Sequence, residues 1–276
     1  MTGQILMVNN QNWDAQTYDK VSRLVQYRWG KMVLNWRKWD GNETVMDAGC
    51  GSGLLTNLLA KRVPNGRVYA VDTDLRMLKQ AEMNLKGIGN VELIQFDLAQ
   101  VKIPEKLDVI FSNAALHWVK DHEQVFRHFW DLLKSSTERA QLLIQCGGDG
   151  NLQRTLTILE DVIRLSEFKQ YFAKQDKPWN FAKPQTTVEL LKRIGYSNLK
   201  VQLQDNTIDL MDRKMYSEFV KTVILKPFLQ HLSDENIKSR FLNIFLDRVK
   251  ETSKGHKIQD PWCLDYVRLN IIANKP

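Results

Sequence analysis

The residues with the clearest chemical meaning form a glycine-rich turn after a short apolar segment. Asp47 ends that segment, and Gly49, Gly51 and Gly53 follow it. Residues without a Cβ permit positive φ angles and let a ligand lie close to the backbone. The dinucleotide-binding pattern G-x-G-x-x-G needs a glycine where this chain has Leu54, and a carboxylate beside the turn repels a pyrophosphate. The glycine spacing and the carboxylate therefore disfavour a dinucleotide as the ligand of this turn.

Polar residues also end the next three β-type segments. In chain order these ends are Asp72 with Thr73, Asp97 with Leu98, and Asn113. Open α/β sheets bind their ligands at the carboxyl ends of the strands, so we expect these residues to surround one ligand. Asp72 follows the glycine turn by about 20 residues, where a carboxylate accepts hydrogen bonds from both hydroxyls of a ribose.

The elements that must position these residues alternate between strand and helix from residue 45 to residue 146. This pattern predicts an α/β fold with a doubly wound, Rossmann-like, mostly parallel seven-stranded sheet. We predict one domain over residues 1–276, whose parts are an N-terminal helical cap (1–40), a ligand-binding core (41–150), a helical region with one core strand (151–259) and a closing strand (260–276).

After residue 151 the pattern becomes mainly helical. It predicts helices over 152–166, 187–194, 215–229 and 234–252, and strands over 199–210 and 266–273. Pro178 and Pro184 are expected to lie in a loop. A helical insertion before the last strand is expected to cover the ligand as a lid.

An amphipathic helix is predicted near the N-terminus, where apolar residues from Val21 to Trp36 recur every three or four positions. Its tryptophans and interleaved cations are compatible with nucleic-acid stacking. A helix with its tryptophans on the core and its cations in solvent is the favoured interpretation.

Composition narrows the function classes. The 276 residues are 43% hydrophobic and contain no apolar run long enough to span a membrane. The segment Met1–Gln4 lacks the features of a secretory signal, and three scattered cysteines give no disulfide or metal framework, so we expect a cytoplasmic protein.

The histidines His117, His122 and His128 lack ligand spacing, so no metal is predicted. A net charge of +7, spread along the chain, favours a small anionic substrate over nucleic acid. The oligomeric state is left open between monomer and homodimer.

These motifs together resemble those of the class I S-adenosylmethionine (SAM) methyltransferases, in particular the trans-aconitate methyltransferase-like group. Malonyl-carrier-protein and juvenile hormone acid methyltransferases are its relatives. The resemblance covers nearly the whole chain. It rests on D-x-G-x-G-x-G at 47–53, N-A-x-L-H-W at 113–118 and D-Y-x-R at 265–268.

The resemblance implies SAM as cofactor, and it implies roles for the residues at the strand ends. Asp47 would meet the amino-acid end, Asp97 would accept from the adenine amino group, and Leu98 would lie against the adenine ring. The implied cofactor-binding set is Asp47, Gly49, Gly51, Gly53, Asp72, Thr73, Asp97, Leu98 and Asn113. A tyrosine, here Tyr18, often closes the SAM pocket in the group. Cys50 lies inside the turn as a small buried filler, and we expect its alkylation to block SAM binding.

Members of the group with known activity mostly esterify a carboxylate. Such an acceptor is already ionised at neutral pH and needs positioning rather than a base. The substrate-binding candidates are Tyr18, His117, Trp118, Tyr266 and Arg268, and the positioning candidates among them are His117, Tyr18 and Arg268. Tyr266 and Arg268 are two apart on a predicted strand and so share a face. Arg268 either clamps a carboxylate or is an ordinary cation that faces the solvent or a helix, and Trp118 is more simply a packing residue.

Three alternatives remain open at this point. In the first alternative, the methyl acceptor is a hydroxyl, an amine, RNA or protein, and His117 acts as a general base. Alternatively the chain binds SAM without catalysis and acts as a partner protein. An NAD-dependent oxidoreductase is disfavoured by the glycine spacing.

Overall fold

The structure, a computed structural model, describes residues 6–7, 27–135, 139–172, 177–210, 212–252 and 260–276. Tyr18 and the first part of the predicted N-terminal helix lie outside these ranges. The described residues form two compact units. The first contains residues 6–7 and the described parts of 150–178 and 204–267, and the second contains those of 24–149, 179–203 and 268–276.

Ten strands are found in the described part of the chain. They are β1 (Leu6–Met7), β2 (Thr44–Ala48), β3 (Arg67–Asp72), β4 (Val91–Gln95), β5 (Val109–Asn113), β6 (Gln141–Gly147), β7 (Ser197–Asp205), β8 (Ile208–Asp209), β9 (Cys263–Leu264) and β10 (Val267–Asn274). Seven strands form one sheet in the order β4-β3-β2-β5-β6-β10-β7. Strands β2 to β6 pair in parallel, and β10 runs antiparallel to β6. The predicted doubly wound seven-stranded sheet is confirmed.

Helices connect and cover these strands. They are α1 (residues 27–34), α2 (Leu54–Arg62), α3 (Leu75–Asn84), α4 (His122–Leu132), α5 (Gln153–Ile163), α6 (Pro184–Ile194), α7 (Arg213–Phe219), α8 (Lys226–Leu229) and α9 (Glu235–Thr252). A π-helical segment, Val220–Ile224, separates α7 from α8, and a 3₁₀ turn, Leu116–Trp118, follows β5.

The second unit is a three-layer arrangement, because side chains alternate between the two faces of each strand. Val45 and Phe111 pack with α1 and α2 on one face, whereas Met46 and Ile110 pack with α4 and α6 on the other. All four of these side chains are fully buried. The sheet is therefore apolar on both sides, as parallel sheets generally are, and polar residues are prominent at its strand ends.

The first unit combines helices with a small sheet. Strand β8 pairs with β1 in parallel and with β9 in antiparallel orientation. In its aromatic core Phe172 and Phe168 both contact Phe241 of α9, with ring centroids 5.8 and 5.0 Å apart. The Arg154 guanidinium of α5 donates to the carbonyl oxygens of Pro261 and Cys263 at 2.8 and 2.7 Å, which anchors the chain before β9.

Several predicted elements differ from the structure. The predicted strand 199–210 is two strands in two sheets, because β7 ends at Asp205 and β8 begins at Ile208. Pro184 does not lie in a loop but is the first residue of α6, where a backbone N–H would have no partner within the helix. The predicted helix 215–229 is divided by the π-helical segment, and the strand β9 was not predicted.

The closing strand also begins later than predicted. Strand β10 starts at Val267, so Tyr266 precedes the strand that carries Arg268. Tyr266 is the residue directly before the strand, so the expectation that these two side chains share one face stays a prediction. In the described ranges, no helix combines the length and apolarity that crossing a membrane requires.

Candidate functional site

The glycine turn joins β2 to α2, and each of its three glycines has a positive φ angle (82°, 53° and 78° at Gly49, Gly51 and Gly53). The backbone N–H groups of Gly49 and Cys50 both donate to the Val71 carbonyl oxygen of β3, at 2.8 and 3.0 Å. These bonds fix the turn at the carboxyl ends of two adjacent parallel strands, where this fold class binds ligands.

The three glycines serve different purposes. A Cβ on Gly49 would lie 2.2 Å from the Ala115 Cβ, and one on Gly53 would lie 2.9 Å from the Leu85 Cδ1. Close packing therefore excludes any side chain at position 49, whereas at position 53 the nearest atom belongs to the end of the flexible Leu85 side chain. A Cβ on Gly51 would have no atom of the described chain within 4 Å. The turn is thus open at Gly51, and a ligand has room to contact its backbone.

Asp47 lies beneath the turn with only 2% of its surface exposed. Its Oδ2 accepts a hydrogen bond from the Thr56 hydroxyl of α2 at 2.7 Å. Burial raises the pKa of this carboxyl to about 7, with a smaller contribution from Asp72, while the Thr56 hydrogen bond opposes the rise. A cationic group of a ligand would favour the ionised form of Asp47.

Asp72 ends β3 and is held by two backbone donors. Its Oδ2 accepts from the Gly51 N–H at 2.8 Å, and its Oδ1 accepts from the Asp74 N–H at 2.9 Å. Each carboxylate oxygen has a further lone pair, so both can still accept a hydroxyl. The adjacent Thr73 side chain is exposed, and its carbonyl oxygen accepts from the Gln95 side chain at 3.2 Å.

The residues after β4 divide between solvent and core. Asp97 is exposed, and its Oδ1 accepts from the Ala99 N–H at 2.8 Å, which fixes the turn. Leu98 is 7% exposed and packs into the hydrophobic core on the α4 and α6 side of the sheet. Phe96 is 41% exposed. At this strand end Leu98 mainly supports the core, and Phe96 presents the larger exposed apolar surface.

A row of buried amides crosses the sheet beside the glycine turn. Asn113 of β5 is in register with Gln145 of β6, which is in register with Asn270 of β10. The Gln145 Nε2 donates to the Asn270 Oδ1 at 2.8 Å. All three side chains are less than 9% exposed. By strand alternation they lie on the same sheet face as Asp47.

His117 sits on the 3₁₀ turn after β5 and is partly buried. Burial lowers its pKa to about 3, and the nearby charges of Arg268 and His122 lower it further. The Gly147 backbone N–H donates to its Nδ1 at 3.4 Å. Because Nδ1 accepts, the neutral ring carries its proton on Nε2 and offers that group as a donor.

Two aromatic residues of the segment 179–182 join His117 and Trp118. The Asn180 backbone N–H donates to the His117 carbonyl oxygen at 2.8 Å, and its side chain donates to the Lys120 carbonyl oxygen at 3.0 Å. The resulting ring contacts are His117–Trp118 (5.5 Å between centroids), Trp118–Trp179 (5.7 Å), Trp179–Phe181 (5.9 Å) and Phe181–His117 (6.0 Å). The four rings form a closed cluster, which we call the aromatic wall.

Arg268 is only 2% exposed, so it is not an ordinary surface cation. Its guanidinium lies over the Trp29 ring of α1, with 4.6 Å between the Cζ and the ring centroid. Because side chains alternate between the two faces along β10, Arg268 lies on the same sheet face as Asn270. Its charge adds to the lowering of the His117 pKa that burial causes, and at Cys146 it partly opposes the rise in pKa that burial causes.

The remaining predicted residues are placed as follows. Tyr266 belongs to the first unit, where its ring centroid lies 6.4 Å from that of Phe219. Tyr18 lies outside the described residues. Cys50 is 8% exposed, and burial raises the pKa of its thiol far above the ordinary value. The expected effect of alkylating Cys50 stays a prediction.

One group of potential metal ligands occurs in the described part of the first unit. Asp209, Asp260 and Cys263 bring one ligand atom each within 4.8 Å of the others. Burial, followed by the two nearby carboxylates, raises the pKa of the Cys263 thiol to about 12. This candidate cation site is empty, and exposed acids such as Asp260 are common without an ion, so the group carries no assignment.

Sequence reasoning missed Thr56, Gln145, Trp179 and Phe181. Gln145 had a readable signal, since it is a polar residue inside an otherwise apolar strand. The contribution of Trp179 and Phe181 depends on a tertiary contact between segments about 60 residues apart, as in the pair Asn180 and Lys120.

The donor set fits SAM in two respects. The open backbone at Gly51 leaves space for the cofactor, and Asp47 and Asp72 offer acceptors for an ammonium group and for ribose hydroxyls. The two carboxylates flank the same glycine turn, since Asp72 accepts from the turn and contributes to the raised pKa of Asp47.

Comparisons with known proteins identify relatives of this chain. Residues 45–136 match the protein family described as "Methyltransferase domain". A trans-aconitate 2-methyltransferase of Afipia carboxidovorans is 29% identical over 210 residues, which cover 75% of this chain and 78% of that protein. A malonyl-[acyl-carrier protein] O-methyltransferase of Ilyobacter polytropus is 26% identical over 170 residues, or 61% of this chain and 62% of that protein.

The fold is shared with solved structures. A phosphoethanolamine N-methyltransferase 2 of Haemonchus contortus in complex with SAM superposes with a TM-score of 0.56 at 15% identity. The match covers 95% of this chain and 57% of that protein. At this identity the likeness concerns the fold alone.

Proposed function

We propose that this chain, which belongs to the class I SAM-dependent methyltransferases, transfers the methyl group of SAM to a carboxylate of a small anionic acid. SAM supplies a methyl group on a sulfonium, whose C–S bond breaks as the acceptor forms its bond to carbon. The electron pair stays on sulfur, so the leaving group departs neutral and needs no acid.

The observation that carries this proposal is the hydrogen bond that the Gly147 backbone N–H donates to the His117 Nδ1, which occupies the ring nitrogen that would take up a proton and leaves Nε2–H as a donor. Burial, which lowers the pKa of His117 to about 3, acts in the same direction and makes the ring a weak base. A hydroxyl or ammonium acceptor must lose a proton, and a base this weak gives little driving force for that step. A carboxylate is ionised already and needs no base. The neutral Nε2–H suits it as a hydrogen-bond donor.

Two relatives support the same acceptor chemistry. One is named for trans-aconitate, a carboxylic acid, and the other for O-methylation of a malonyl group. We therefore assign His117 to hold the acceptor, Asp47 and Asp72 to hold the cofactor, and the glycine turn to admit it. Asn113, Thr73, Asp97 and Leu98 are proposed as further cofactor contacts, and Tyr18, Tyr266 and Arg268 as further acceptor contacts.

The catalytic contribution expected from these residues is orientation. Holding two reactants in line supplies about 7–11 kcal/mol without acid or base. Hydrogen bonding by a neutral His117 would orient the acceptor carboxylate without protonating it.

A panel of matched acceptors tests this function. Purified protein and methyl-labelled SAM would be incubated with carboxylic acids and with the alcohols and amines of the same carbon skeletons. We expect label only in the acids, and we expect mild alkali to release it, because methyl esters hydrolyse readily. Alkali-stable label in an alcohol or amine would overturn the proposal. SAM binding without label in any acceptor, including cell extracts, would favour the non-catalytic alternative.

A further inference from the structure

An unusual amount of aromatic surface surrounds the proposed acceptor contact. Trp118 is 47% exposed, although its neighbour Leu116 on the same turn is 1% exposed. Trp179 and Phe181 are only partly buried. Aromatic side chains contribute large apolar contact areas when a ligand covers them.

The aromatic wall is held in place by backbone contacts. Besides the two bonds of Asn180, Gly148 and Ala182 form a parallel β-bridge, and the Asp149 N–H donates to the Ala182 carbonyl oxygen at 3.0 Å. These contacts fix the segment 179–182 at both ends against the loops after β5 and β6. The wall is therefore preorganised, which lowers the entropy lost on binding a ligand.

The arrangement of rings around His117 indicates what the wall binds. The Trp179 and Phe181 rings are nearly parallel, with 9° between their planes, and Phe181 continues to the His117 ring. A carboxylate that accepts from the His117 Nε2–H would therefore have its attached carbon skeleton beside these rings. A compact polyanion would leave the apolar surface uncovered.

We infer that Trp118, Trp179 and Phe181 bind the apolar body of the methyl acceptor, so that the preferred acceptor is a carboxylic acid with a hydrophobic chain or ring. This inference rests on the proposed function for its chemistry but depends on different residues. It assigns Trp179 and Phe181 as specificity-determining residues and gives Trp118 a ligand contact in addition to packing.

A series of straight-chain acids from butanoic to decanoic acid tests the inference, with a dicarboxylic and a tricarboxylic acid for comparison. Each methylene that leaves water for the wall should raise kcat/KM about fourfold until the rings are covered. Trp179→Ala should flatten this dependence through KM, with the largest loss of kcat/KM for the longest acids, while the Kd for SAM stays unchanged. Trp179→Phe should retain most of the dependence.

Met83→Ala is the matched control, because Met83 is a 64% exposed apolar side chain on α3, away from the wall. It should leave the whole series unchanged. The inference is overturned if the wild type shows no dependence on chain length. It is equally overturned if Trp179→Ala weakens every acid by the same factor.

The failure of the proposed function gives a different result. If no acid is methylated, calorimetry of the same acids in the presence of S-adenosylhomocysteine still decides the inference. Affinity that rises with chain length in the wild type but not in Trp179→Ala would support the wall. Affinity independent of chain length would refute it.

Discussion

Asp47 carries much of the electrostatics of the proposed cofactor site in one carboxyl group. A buried acid with a raised pKa is mostly protonated below that pKa, and a protonated carboxyl gains little from an ammonium group. The Thr56 hydroxyl is the described group that offsets this effect directly, through its 2.7 Å hydrogen bond. Cofactor affinity should therefore change with pH in a range where ordinary aspartates are already ionised.

We expect SAM to bind about fivefold more weakly at pH 6 than at pH 7.5, because Asp47 takes up a proton as the pH falls through its pKa while the SAM amine stays largely charged. Calorimetric titration at both pH values measures this ratio. Asp47→Asn should bind weakly with no such change, and Thr56→Val should move the transition to higher pH. An equal pH effect in wild type and Asp47→Asn would contradict the role of Asp47.

Gly49 and Gly51 provide a matched pair of substitutions two residues apart in the same turn. Gly49→Ala should lower the unfolding free energy by about 2–4 kcal/mol, because the new Cβ meets Ala115 in a left-handed backbone conformation. Gly51→Ala should cost only about 1–2 kcal/mol, for its backbone conformation alone.

For SAM affinity, in contrast to the unfolding free energy, we expect Gly51→Ala to have the large effect. Gly51→Ala places a methyl group in the open space of the turn, so its Kd for SAM should rise at least about tenfold. Thermal unfolding and calorimetry measure the two effects separately. Wild-type SAM affinity in a folded Gly51→Ala variant would show that the cofactor does not approach the turn there.

At the scale of elements, the antiparallel strand β10 is joined to the parallel part of the sheet by backbone pairing with β6 and by the buried pair Gln145 and Asn270. An amide pair in an otherwise apolar sheet is costly to break from one side only. The pair also lies in the row that begins at Asn113, so it supports the strand end next to the cofactor site.

Asn270→Leu should lower the unfolding free energy by about 1–3 kcal/mol, because the Gln145 Nε2 loses its acceptor in a dry environment. Gln145→Leu with Asn270→Leu should be less destabilised than the sum of the two single variants. Urea denaturation of the four proteins in the cycle measures the coupling. Strict additivity would mean that the hydrogen bond does not stabilise the sheet.

Sequence patterns predicted the elements that carry their own local signal. The strand β3 ends at Asp72, as predicted, because a β-branched and aromatic run ends at an acid. The split between β7 and β8 escaped prediction, since alternation continues through Asn206 and Thr207 while the partners change from one sheet to another. The helix start at Pro184 was missed because proline also suits a loop.

At the scale of the whole molecule, sequence patterns brought the proposed cofactor residues together more readily than the proposed acceptor residues. The proposed cofactor residues follow strand ends in order, so topology brings Asp47, Asp72 and Asn113 to one edge of the sheet. The aromatic wall joins the loop after β5 to the segment before α6, a contact that no local pattern encodes. The low pKa of His117 likewise depends on burial and on Arg268, far along the chain.

The pH dependence of kcat at saturating SAM, measured with the best carboxylic acid, tests the central claim most directly. Because His117 stays neutral and the acceptor is already ionised, the account predicts a rate that is flat from about pH 6 to about pH 9. A tenfold rise per pH unit that levels off near the ordinary histidine pKa of about 6.5 would contradict it. That result would establish His117 as a base and the acceptor as a group that must lose a proton.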